Sequence, residues 1–100
     1  MLKNGNGGCK GPGGKTFTGC ITNDVESLID CGAECKRLGP CIAFNYNEEG
    51  RRCKLITTSE LENGCPNGYQ WKDNDLLATS VEDFVFKNGN SVCYAKIKFD

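Results

Sequence analysis

Cys31 and Cys35 stand four residues apart in the run SLIDCGAECKRLGP from Ser27 to Pro40, and that spacing constrains the fold more than any other feature. On a helix the two side chains project from one face, a turn apart and parallel. Their Cβ vectors are then badly placed to bond to each other. Each needs a partner outside the helix, and Cys41 and Cys53 are the nearest. Cys41 lies across the Gly39-Pro40 corner from Cys35, while Cys31, a turn further back, can reach Cys53 on a returning strand. A helix pinned to a hairpin by nested bridges, Cys35–Cys41 inside Cys31–Cys53, is the expectation.

The helix is expected over about residues 27–38. Ser27 is the N-cap, with Asp30 in the reciprocal capping position. Leu28, Cys31, Cys35 and Leu38 form one apolar stripe. Lys36 and Arg37 suit the C-terminal dipole, Gly39 is a natural left-handed cap, and Pro40 stops the helix. Cys41 to Tyr46 then reads as a strand with Ile42, Phe44 and Tyr46 on one face and Cys41, Ala43 and Asn45 on the other. Asn47 to Arg51 is a turn with Gly50 available for positive φ. Arg52 to Thr57 returns with Cys53 and Leu55 on a common face.

The flanks carry weaker signals. Residues 1–8 read as a flexible Gly/Asn-rich N-terminus ahead of a single domain at 9–100. Gly5-x-Gly7-Gly8 has neither the strand before it nor the helix after it that a phosphate loop needs. Lys15 to Ile21 alternates as a strand with Phe17 and Ile21 facing inward. Thr58 to Gly68 is loop, Tyr69 to Lys72 a short strand, and Phe84-Val85-Phe86 with Val92 to Ile97 a hairpin across Asn88-Gly89.

One hundred residues make one domain, too small to rest on an apolar core alone. Eight cysteines in such a chain point to disulfides and an oxidising compartment. With no histidine and no Cys-x-x-Cys pair, a zinc site has nothing to start from, and no cofactor is expected. A net charge of −1 creates no field toward nucleic acid or acidic lipid, and no apolar run suits membrane insertion. No signal peptide is visible, so the chain is expected to be a mature segment, compatible with a place in a larger extracellular protein. There is no Asn-x-Ser/Thr acceptor.

Four cysteines remain. Cys9 and Cys93 lie near opposite ends, and joining them would close a loop worth roughly 4–5 kcal/mol in the chain-entropy account, leaving Cys20 with Cys65. The rival exchanges Cys9 and Cys20 between those partners, and the sequence leaves both open.

Phe17-Thr18-Gly19, Cys31-x3-Cys35, Cys41-Ile42-Ala43-Phe44-Asn45-Tyr46 and Cys53-Lys54-Leu55, with Cys9 and Cys93 at the ends, resemble the PAN/apple domain family over about residues 9–95. The resemblance implies a small disulfide-rich α+β fold, a curved antiparallel sheet cradling one helix. It implies the nested central bridges and, as in apple domains, a bridge joining the termini. Cys20 and Cys65 depart from the usual six-cysteine pattern and look like an additional bridge. Such domains are secreted or extracellular adhesion and recognition modules that bind proteins or glycans, lectins among them, and share no catalytic site.

Catalysis has little to stand on: no histidine supplies a base near neutral pH, and eight paired cysteines leave no thiol. Glu48-Glu49 and Glu82-Asp83 read as solvated carboxylates. Asp73-Asn74-Asp75 begins like a calcium loop but lacks the glycine and distal glutamate. Two surface features are candidates. Lys36, Arg37, Arg51, Arg52 and Lys54 could converge on a sulfated, heparin-like glycan, against the plainer reading as helix-end and edge-strand charges. Tyr69 and Trp71, with Lys72 beside them, are either core or an aromatic platform for a protein or sugar. A secreted toxin or protease inhibitor, presenting a loop from Leu61 to Gly68, is the remaining alternative.

Overall fold

The computed structural model describes residues 2–6, 9–61, 63–79, 85–86 and 91–95. Helix α1 spans Leu28–Arg37 behind Ser27, whose Oγ accepts the Asp30 backbone N–H at 3.2 Å. Such a cap stabilises a helix end by about 1 kcal/mol. The helix ends as Leu38 turns extended, at φ −86° and ψ 105°. Gly39 is not left-handed: among the described residues the positive-φ glycines are Gly13, Gly14 and Gly68. Pro40 explains the correction, because the residue before a proline is pushed toward extended backbone. The Cys41 N–H closes the corner onto Leu38 O at 2.9 Å.

The strands are β1 (Leu2–Asn6), β2 (Cys9–Lys10), β3 (Gly19–Thr22), β4 (Cys41–Asn47), β5 (Arg52–Thr57), β6 (Gln70–Lys72), β7 (Val85–Phe86) and β8 (Ser91–Ala95). Six form one antiparallel sheet in the order β1-β8-β4-β5-β3-β6, and β2 pairs with β7 in a second, two-stranded sheet. This is a small disulfide-rich α+β fold with one helix among the described residues. Two expectations are corrected. The segment taken as a flexible terminus supplies β1, paired with β8; a backbone ladder needs no bulky side chains, so Gly and Asn can serve there. The C-terminal hairpin does not form as a pair. β8 is occupied on both sides by β1 and β4, and β7 turns instead to β2. The Asn88-Gly89 turn lies outside the described residues.

Two further expectations fail locally. In the turn after β4, Arg51 rather than Gly50 takes positive φ, at 53°. In β4, Cys41 pairs with Thr57 and Ala43 with Ile56, so Ile42 is the extra residue of a bulge. The bulge resets the alternation: Cys41 joins Phe44 and Tyr46 on the helix side, and Ile42 packs with Ala43 on the other.

The main sheet thus separates two cores. Between sheet and helix lie Cys31, Cys35, Cys41, Phe44, Cys53 and Leu55 with Cys20 and Tyr46. Gly32 lets the helix settle onto Phe44, since a Cβ there would stand 3.1 Å from the ring, and Phe44 stacks on Tyr94 with centroids 5.3 Å apart. Behind the sheet lie Phe17, Ala43, Ile56 and Ala78 with Cys9 and Cys93; Ile21, expected to face inward, is only half-buried. The disulfides are Cys31–Cys53, Cys35–Cys41, Cys20–Cys65 and Cys9–Cys93. Four such bridges fit an oxidising, extracellular-type environment.

Close approach of β3 to β5 depends on Gly19, where a Cβ would run into the Leu55 carbonyl. Gly19→Ala is expected to lower stability by about 3 kcal/mol in denaturant titration with the disulfides intact. Loop length predicts a ranking as well. The Cys9–Cys93 bridge spans 84 residues and Cys35–Cys41 spans 6. Replacing the long-range pair with alanines should therefore cost about twice as much as replacing the short-range pair, roughly 4–5 against 2–3 kcal/mol.

Candidate functional site

β5 turns Cys53 and Leu55 toward the helix, so Arg52 and Lys54 lie on the outer face of the sheet. Across the strands Lys54 stands beside Asn45 of β4 and Ile21 of β3, and Ile21 stands opposite Gln70 of β6. The small β2 layer is laid over this face, where the Cys9 N–H donates to Asn45 Oδ1 at 2.6 Å. It brings Lys10, whose Nζ donates to Thr16 Oγ1 at 3.1 Å. Lys72, opposite Gly19, completes the set.

Lys54 is only 8% exposed. Burial, and then the charges of Lys10, Lys72 and Arg52, lower its pKa to about 8, with Asp75 acting in the opposite direction. Arg52, Lys54, Lys72 and Lys10 are therefore one electrostatic group. A cleft of about 450 Å³ opens beside them, lined by Ile21, Thr22, Asn23, Arg52, Gly68, Gln70 and Lys72.

The structure does not assemble the five-residue patch expected from the sequence. Lys36 and Arg37 belong to the helix, on the opposite side of the sheet from Lys54, and Arg37 pairs with Glu34. Arg51 lies 3.6 Å from Asp24 and 3.8 Å from Glu26. Lys10 has no local sequence signal: the closure of Cys9 onto Cys93 and the Cys9 N–H bond to Asn45 carry it here. The alternation of Arg52-Cys53-Lys54-Leu55 was the available clue that Lys54 faces away from the helix.

The aromatic pair sits on the helix side. Trp71 lies opposite Cys20, and both Trp71 and Tyr69 pack half-buried against the helix-side core. The Tyr69 hydroxyl donates to Cys53 Sγ at 3.4 Å, and burial, followed by the nearby Glu34 carboxylate, pushes its pKa up to about 12. Trp71 Nε1 donates to Asp73 Oδ1 at 2.9 Å, which fixes the indole. A second cleft of about 450 Å³ is bounded by Asn63, Cys65, Tyr69, Gln70, Trp71 and Asp73. Lys72 points away, to the basic face.

Asp73-Asn74-Asp75 is a structural tie. Asn74 Nδ2 donates to Phe17 O at 3.0 Å, and Asp75 Oδ2 accepts the Thr16 N–H at 2.9 Å. Glu48 and Glu49 are exposed in the β4–β5 turn; Glu82 and Asp83 lie outside the described residues. Among the described residues no trio of His, Cys, Asp or Glu stands close enough to hold a metal ion. Among them, too, no helix is long and apolar enough to cross a membrane. Compared with known proteins, the chain matches no family model, no curated protein and no solved structure.

The lowered Lys54 pKa carries a stability signature. The folded state releases this proton near pH 8 and the unfolded chain near 10.5. Its stabilising contribution is thus complete above the unfolded value and lost as the pH falls through 8. Stability should rise between pH 8 and 9.5, below the range where Tyr69 ionisation acts the other way. Lys54→Met should be more stable than the native chain at pH 7 by about 1–3 kcal/mol and should lack that rise, as read by urea titration across the range.

Proposed function

We propose that this chain is an extracellular, non-catalytic recognition module of the PAN/apple kind, taking a protein or carbohydrate ligand at the cleft beside Trp71. The observation that carries the reading is the half-exposed indole, held by Asp73 in a cleft also lined by Asn63, Gln70 and Tyr69. An aromatic face beside amides and a carboxylate suits the mixed apolar and hydroxyl surface of a sugar, and an anchoring tryptophan equally suits a protein contact. The Cys20–Cys65 bridge backs the cleft, so little ordering cost falls on binding. The nested bridges on the helix and the bridge joining Cys9 to Cys93 support the family reading.

An inhibitor or toxin role is less well supported. Turns tie the described residues of the loop from Leu61 to Tyr69, with Gly64 N–H on Leu61 O and Tyr69 N–H on Pro66 O, both at 2.9 Å. Leu61 packs on the core rather than being presented to a partner.

Trp71 is the sole tryptophan, so its emission reports on the cleft directly. A glycan array and an extracellular-protein pull-down, each run with the native chain and Trp71→Ala, should yield a ligand that shields Trp71 from acrylamide quenching. Trp71→Ala should lose at least about tenfold in affinity with its circular dichroism unchanged. A ligand bound equally by both chains, leaving the indole open to quencher, would overturn the assignment of the cleft.

A further inference from the structure

The basic outer face and the Trp71 cleft meet at Gln70, which borders both, but the cations that define the outer face take no part in the Trp71 cleft. The chain carries a net charge of −1, yet Lys10, Arg52, Lys54 and Lys72 act on one another across its outer face. Like charges gathered around a buried ammonium oppose folding. Among the described residues the carboxylate acting on the group is Asp75, and its Oδ2 already accepts the Thr16 N–H at 2.9 Å. Solubility alone would be served by dispersed lysines; convergence leaves positive potential concentrated at one place.

That place is a cleft of about 450 Å³, within the range that takes a small ligand. Arg52 and Lys72 border it, and Lys54 is buried next to Arg52 on the same face of β5. A guanidinium fork beside an ammonium matches the oxygens of a tetrahedral oxyanion. Among the neutral lining residues, the amides of Gln70 and Asn23 match sugar hydroxyls rather than further charge.

We infer that the outer-face cleft between β3, β5 and β6 binds a sugar carrying a sulfate or phosphate ester, with Arg52 and Lys72 on the ester oxygens and Lys54 required in its protonated form. Below pH 7 Lys54 already carries its proton and the anion meets that charge; above pH 8, where the amine is neutral, binding takes up a proton from solvent, and no bond to the ligand is made or broken. Among the described residues the groups facing Lys54 are Arg52 on its own strand, Lys10 from β2, Lys72 from β6 and Asp75 beyond it; Asn45 and Ile21, its cross-strand neighbours, do not titrate. With the free-state pKa near 8, affinity is level below pH 7 and falls as Lys54 loses its charge.

The test is calorimetric titration of the full chain with glucose 6-sulfate, glucose 6-phosphate and glucose from pH 6.5 to 9 at low salt. An ester should bind at least about tenfold more tightly than glucose, and raised salt should weaken it. For the sulfate, whose own charge is constant across this range, affinity should drop about tenfold between pH 7 and 9. Lys54→Gln should bind more weakly at pH 7 and show no such drop. Arg52→Gln should weaken the ester at every pH. Binding of the sulfate alone, the phosphate alone or both supports the site and names its source; a phosphate-only result carries the pH test in the comparison of native with Lys54→Gln. Equal binding of glucose, binding of a hexaglutamate peptide as tight as of either ester, or a pH profile unchanged by Lys54→Gln would overturn the inference.

Discussion

The attachment of one short helix to one sheet by two disulfides governs everything else in this molecule. Ten residues of helix are marginal in water on their own, because nucleation consumes most of what a few hydrogen bonds return. Cys31–Cys53 and Cys35–Cys41 hold the helix at successive turns, so its position and rotation on the sheet are both set. The second bridge has a condition. Regular alternation from Phe44 would send Cys41 to the face away from the helix. The bulge at Ile42 turns it back, and a one-residue irregularity in β4 is therefore part of the cross-link.

With the helix fixed, the sheet becomes a partition. Its inner face is covered by the helix and three bridges, its outer face in part by β2 and Cys9–Cys93. Neither side would hold a core of useful size with hydrocarbon alone, and sulfur supplies much of the buried volume in both. Partition also decides which surface residues can act together. Trp71 and Lys72 are adjacent in the chain yet face opposite sides of the sheet. Arg52 and Lys54 are grouped with Lys10, distant in sequence, because the terminal bridge folds that segment over them.

How much of this could be read beforehand follows the same division. Ser27, the Cys31 and Cys35 stripe and the alternation around Cys53 report local geometry, and the helix and central strands were legible from them. The Ile42 bulge was not, because Cys41-Ile42-Ala43-Phe44 carries no glycine or other mark of an extra residue. Gly39 and Gly50 show the limit of a permissive residue as a signal: Pro40 dictates the conformation at one corner, and Arg51 takes the left-handed position at the other. The roles of β1 and β7 are non-local, set by which sheet edges remain available once β8 is paired on both sides. The candidate site failed for a related reason. The sequence showed five cations on two elements that the bridges join, but not the face of the sheet that each would occupy.

Lys54 shows what a cross-linked scaffold permits. In a domain resting on its core alone, a buried ammonium among three other cations would subtract from a narrow margin, and replacement by an apolar residue would be the easy correction. Disulfides stabilise by restricting the unfolded chain, largely without regard to what happens electrostatically at one point in the folded state. The long Cys9–Cys93 loop contributes most on that account, and the same bridge carries Lys10 into the group that disfavours the charge on Lys54. The bond that most limits the unfolded ensemble thus also builds the strained charge cluster. Local electrostatic cost and global covalent stabilisation are coupled through one segment, residues 9 and 10, and an oppositely charged partner at the outer face would relieve the first without touching the second.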